Sequence, residues 1–241
     1  MLTLSHDDPV SVALYESIHS GDLEALQRLL AEHSGLMAAR IVDDRGVART
    51  PLHIATDWPG YFPNAPAVVT ALIERGADPS APIMGARHAE TPLHWAASSD
   101  DVDVAEALIA GGAQLEVRRG SIADGTPLDN AVGYGCWQVA RLLVARGARV
   151  EKLWHAAALG MVTRMEELFA VSVQPTPSQV NEAFWQACHG GKRRAAQYLL
   201  ARGADVNWMP GYASQTPLQI AGAPDTGRGA LIEWLRKHGA R

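Results

Sequence analysis

Apolar residues come along this chain in pairs of short bursts, and the two bursts of a pair stand a fixed distance apart. Fifteen positions separate Leu93 from Leu108, and the same step joins Leu14 to Leu29, Leu153 to Leu168 and Phe184 to Leu199. Each burst predicts a short helix with one apolar stripe, and the polar, Gly-bearing residues between them predict a turn. Four first bursts share one frame: Thr50-Pro-Leu-His-Ile-Ala, Thr91-Pro-Leu-His-Trp-Ala, Thr126-Pro-Leu-Asp-Asn-Ala and Thr216-Pro-Leu-Gln-Ile-Ala. Thr is a good N-cap, because its hydroxyl can accept from an orphan backbone N–H of the first turn. Pro at the next position costs nothing, since its missing N–H would have had no partner there.

Second bursts end on a glycine stop, as in Leu72-Ile-Glu-Arg-Gly-Ala, Leu108-Ile-Ala-Gly-Gly-Ala, Leu143-Val-Ala-Arg-Gly-Ala and Leu200-Ala-Arg-Gly-Ala. Glycine there can take the left-handed conformation that ends a helix. Helices this short cannot bury their stripes in isolated pairs, so each pair has to stack on the next. These motifs closely resemble the ankyrin repeat, over nearly the whole chain. The resemblance implies an all-α ankyrin-repeat solenoid of about seven helix–turn–helix units with short extended finger loops. The expected units lie near 10–45, 46–85, 86–121, 122–149, 150–176, 177–211 and 212–241, in a single domain of residues 1–241. Motif starts near 50, 91, 126, 151, 182 and 216 scatter about the ankyrin period of 33.

Departures from the repeat mark candidate functional positions. Leu52 to Leu72 spans 20 residues instead of 15, through Asp57-Trp-Pro-Gly-Tyr-Phe-Pro-Asn-Ala-Pro66. Three prolines cannot continue a helix, so this insertion is a loop carrying Trp58, Tyr61 and Phe62. Its rings are either anchors for a partner or a small satellite core folded over the helices. Loops 76–91, 112–126 and 203–216 are longer than the repeat needs, and the last holds Trp208, Met209 and Tyr212. After Gly147 only three residues precede Glu151, too few for a finger, and Val171-Ser-Val-Gln-Pro-Thr-Pro-Ser-Gln reads as a Pro-bearing connector. Residues 148–182 are therefore the expected hinge.

Composition narrows the function. Net charge is −5, which disfavours nucleic acid and anionic membranes as partners. Residues 1–120 carry 8 Lys and Arg against 17 Asp and Glu, whereas residues 121–241 carry 13 against 9. Such asymmetry either aligns a partner, or copies of the chain head to tail, or is solvated charge without a role. No apolar run approaches 18 residues, the start lacks the features of a secretory signal, and two cysteines are too few for a disulfide framework. A cytoplasmic, monomeric protein is expected.

Catalytic and metal signatures are missing from the sequence. No His-x-x-x-His, Cys-x-x-Cys or Gly-x-Ser-x-Gly occurs, and the glycines between Gly222 and Gly229 lack the Lys of a phosphate loop. The ankyrin resemblance gives His53 and His94 a structural role, bonded to backbone near Thr and tying units together. Trp154 and Trp185 occupy that same slot, while Trp95, Asn130, His155 and Gln186 occupy the next, groove-facing one. His189 falls on a turn between helices. Trp58, Trp95, Tyr134 and His155 are expected to form an aromatic strip flanked by Asp57 and Asp129.

The resemblance thus implies a non-catalytic scaffold that binds a protein or peptide, without cofactor or metal. The expected contact residues are Asp57, Trp58, Tyr61, Phe62, Trp95, Tyr134, His155, His189, Trp208 and Tyr212. The alternative is a small-molecule or enzymatic site built from His155, His189, Asp57 and Asp129 beside the tryptophans.

Overall fold

A computed structural model describes residues 2–222 and 228–241. The glycine-bearing stretch weighed above as a phosphate loop falls largely outside the described residues. The chain forms two compact units, Met1–Ala148 and Arg149–Arg241, and the boundary lies where the finger was expected to be missing.

The first unit contains four helix pairs: α1 (Pro9–Ser20) with α2 (Leu23–Glu32), α3 (Pro51–Ala55) with α4 (Ala65–Glu74), α5 (Pro92–Ser99) with α6 (Val102–Ala110), and α7 (Pro127–Gly133) with α8 (Trp137–Ala145). First helices pack on first helices, α1 on α3, α3 on α5 and α5 on α7. Second helices do likewise, α2 on α4, α4 on α6 and α6 on α8. The Thr-Pro-Leu motif explains the layering. Leu52, Leu93 and Leu128 are essentially inaccessible, and Ala55, Ala96 and Ala131 beside them let neighbouring helices approach. Each such leucine contributes roughly 2 kcal/mol by leaving water.

Extended segments add a small sheet that the helical pattern did not announce. Strands β1 (Thr3–Ser5), β2 (Arg40–Val42) and β3 (Ala48–Arg49) lie in that order, β1 parallel to β2 and β2 antiparallel to β3. The β2–β3 hairpin is the first finger loop. Asp43 holds its turn by accepting the Arg45 and Val47 amides at 2.9 Å, and an antiparallel bridge joins Ala48 to Met84 in the next finger.

Among the described residues the second unit contains three pairs: α9 (Leu153–Leu159) with α10 (Val162–Phe169), α11 (Pro177–His189) with α12 (Arg193–Leu200), and α13 (Pro217–Ala221) with α14 (Gly229–Lys237). Helix α11 is its centre, packing on α9, α12 and α13, with Phe184 fully buried. It is longer than the sequence pattern indicated. Thr176-Pro177 belongs to the helix rather than the connector: the Thr176 amide donates to Gln179 Oε1 at 2.8 Å, and Thr176 Oγ1 accepts from the Gln179 amide. This is the same capping chemistry as in the Thr-Pro-Leu frames, with Gln in the fourth place. The connector shrinks to residues 170–175, where Val171 and Val173 are exposed.

Candidate functional site

The capping histidines show how each repeat is joined to the next. Thr50 donates its amide and hydroxyl towards His53 Nδ1 at 3.3 and 2.8 Å, so Nε2 carries the proton and donates to the Glu90 carbonyl at 3.1 Å. His94 repeats this with Thr91 and donates to the Gly125 carbonyl at 3.2 Å. The acceptor each time is the residue just before the next Thr-Pro. Burial pushes His53 down to about 3 and also lowers His94, so both rings stay neutral. In the second unit Trp185 does the forward half of this work, donating its indole N–H to the Gln215 carbonyl, just before Thr216, at 2.9 Å. Asp129 stands in the histidine slot of the fourth pair. There it is buried, not flanking a groove as expected, and accepts the Thr126 amide and hydroxyl at 2.7 and 3.0 Å.

The insertion 57–66 is pinned at both ends. Phe62 stacks on His19 with centroids 4.1 Å apart, and Asn64 donates to the Gly21 carbonyl at 3.0 Å. Gly21 has φ of 69°, and a Cβ there would run into the Pro63 carbonyl, so the α1–α2 turn must be glycine for the loop to seat. At the other end the Tyr61 amide donates to Asp101 Oδ2 at 2.7 Å and its hydroxyl to the Asp100 carbonyl. Phe62 therefore belongs to the satellite-core reading, while Trp58, 81% exposed, is left facing solvent.

Beneath Trp58 lies a cleft of about 220 Å³, lined by Trp58, Trp95 and Tyr134 together with Asp57, Glu90 and Ser121. Four residues expected from sequence, Asp57, Trp58, Trp95 and Tyr134, meet here. A polar floor that the sequence reading did not pick out joins them. Fully buried Asn130 donates from Nδ2 to Glu90 Oε1 at 2.7 Å and to the Ser98 and Ser121 hydroxyls at 3.2 and 3.4 Å. The Ser121 amide reaches the same Glu90 oxygen at 2.7 Å, and the Ser121 and Tyr134 hydroxyls share a hydrogen bond at 3.2 Å. Two signals could have found this floor: Asn130 shares the slot of Trp95, and Glu90 immediately precedes a Thr-Pro.

The remaining expected residues lie in the second unit, and the structure uses several of them internally. His155, at 2% exposure, is buried against the edge of Trp154 and presents no groove-facing surface, because its helix turns that side into the core. His189 is half-buried beside Trp185, with Nδ1 3.3 Å from Gln186 Oε1. Burial, followed by the Arg228 charge, pushes it down to about 4. Tyr212 is exposed, edge-on to Trp185, and its hydroxyl, pushed up to about 12 by burial and Glu182, faces Glu182 at 3.5 Å. Trp208 is half-exposed on the same late loop.

Both cysteines are free and buried, with burial raising each thiol, Cys136 to about 11. Among the described residues no cluster of His, Cys, Asp and Glu could hold a metal ion, and no helix is long and apolar enough to cross a membrane.

Within the first unit, stacked helix pairs with capped, histidine-linked first helices are those of a helical-repeat solenoid. The particular repeat is the ankyrin repeat: its family model matches residues 49–82 and 89–119, which hold most of the cleft. The fold is similar to that in the crystal structure of the human ASB11 ankyrin repeat domain, with TM-score 0.53 and 19% identity, covering 92% of this chain and 96% of that one. No curated protein sequence matches the chain. The chain thus carries ankyrin repeats at these positions and has the fold of an ankyrin-repeat domain. Ankyrin repeats generally mediate protein–protein interaction and are typically non-catalytic.

Proposed function

We propose that this protein is a non-catalytic binding module whose contact surface is centred on the aromatic cleft of the first unit. The observation that carries the reading is Trp58. A large ring held in solvent by a loop fixed at both ends has little ordering cost left to lose on association, as interface anchors require. Trp95 and Tyr134 extend the same surface, and Tyr61 stands exposed on the same loop as Trp58. Tyr212 and Trp208 offer a second, separate contact in the other unit.

Small-molecule or acid–base chemistry has less support. Asp129 is committed to capping and His155 is buried, so two of the four groups invoked for it lack access. A monomer in the reducing cytoplasm is part of the same proposal, supported by the two unbridged, buried thiols. The test is affinity capture from native lysate with the wild-type chain and with a Trp58→Ala, Trp95→Ala double variant. Partners retained only by wild type are expected; an unchanged set of partners would rule out this surface.

A further inference from the structure

The cleft has a charge as well as a shape, and resting on the surface assignment above, we propose that it receives the cationic side chain of a lysine or arginine from an extended segment of a protein partner. Three rings bound it, and the faces of Trp and Tyr attract a cation through their quadrupoles. The protein already shows this preference internally. Arg49 lies over Trp95, its guanidinium carbon 5.6 Å from the ring centroid, and its Nη1 pairs with Asp57 Oδ2 at 3.1 Å.

Arg49 does not make the cleft positive. Asp57 answers it directly, and Asp43 lies 3.9 Å from its other nitrogen. Glu90 is then the decisive group. It is half-buried and has no ion-pair partner among the described residues, and both N–H donors it receives end on Oε1. Those donors fix the carboxylate and leave Oε2 to a ligand. The surroundings have the same sign: residues 1–148 hold 10 Lys and Arg against 19 Asp and Glu, so a basic segment is also drawn in from a distance. An acidic or purely apolar side chain would meet an unanswered carboxylate, which a cation neutralises.

The indole N–H resonances of the full chain give a local readout, with those of Trp58 and Trp95 assigned through Trp→Phe variants. The probes are the Nα-acetyl methylamides of arginine, lysine, trimethyllysine, norleucine and glutamate. Saturable shifts of both resonances are expected with the cationic probes, with norleucine binding at least about fivefold more weakly. Glu90→Gln keeps an oxygen for both floor donors, so it should weaken the cationic probes about fivefold and leave norleucine unchanged.

Salt up to about 0.5 M should weaken the cationic probes alone, a readout that needs no variant. Norleucine or glutamate binding as tightly as arginine and lysine, or affinity for the cations insensitive to both salt and Glu90→Gln, would overturn the proposal. Lysate capture separates the two readings. Partners lost from the Trp58, Trp95 variant but kept by Glu90→Gln would leave the surface standing and remove the cation.

Discussion

In residues 2–148 an imidazole links two of the repeats to the next; in residues 149–241 an indole makes such a link. An imidazole has two nitrogens, so His53 and His94 each receive the Thr of their own helix on Nδ1 and donate to the following repeat from Nε2. An indole has one N–H. Trp185 can only donate forward, and the capping of its helix falls to Gln179, two turns earlier. Asp129 shows the opposite limit: a carboxylate accepts and cannot donate to a carbonyl, so it caps its own helix and makes no forward link of this kind. The requirement is therefore two separable tasks, and histidine is the residue that combines them.

The largest expected effect comes from removing a residue that performs both. His53→Ala strips the Thr50 cap, leaves the Glu90 carbonyl without its donor and opens a cavity. It should cost about 3 kcal/mol in the urea unfolding of the first unit. Acid should destabilise the fold through the same ring. His53 is held near 3 when folded and titrates near 6.5 when unfolded, so the unfolded state binds the extra proton. Its contribution is complete above pH 6.5 and declines by about 1.4 kcal/mol per unit as pH falls towards 3. Urea titrations of the wild type and His53→Gln across that range should show the variant with a shallower slope; parallel slopes would mean that the ring is protonated in the fold.

Trp185→Phe removes the forward donor together with part of a buried ring. Its expected cost is about 2 kcal/mol, seen in thermal unfolding of the second unit. Trp58→Ala is the smallest in stability, within about 0.5 kcal/mol, since the ring is exposed. It should nevertheless abolish partner retention, and that dissociation of stability from binding is its signature. Amide exchange offers a final contrast: residues 170–175 should exchange faster than α5 and α7, and equal protection would remove any hinge from the connector.

The sequence carried the repeat because its determinants are local. Thr-Pro caps, apolar stripes and glycine stops act within one helix pair, so their spacing indicates about seven pairs before any packing is known, and the described residues form seven. The start of α11 was misplaced although its signal was present, because Thr176-Pro177 lies beside Pro175 and reads as a connector. Trp58, Trp95 and Tyr134 were recognisable as candidates, because Trp58 stands in an insertion, Trp95 in a groove-facing slot and all three are large rings. Glu90, Ser98, Ser121 and Asn130 were not, because each looks like an ordinary surface polar residue until neighbouring repeats are stacked.

The amino-acid order by itself determined which segments become helices, where each starts and stops, and that they must stack. Tertiary structure alone decided which of the expected residues remain accessible. It buried His155 and Asp129, turned Phe62 inward against His19 and left Trp58 outside. The reason is physical: a helix start is set by atoms a few residues apart, whereas exposure is set by neighbours roughly 30 to 40 positions away, at the repeat spacing, whose approach no local pattern records.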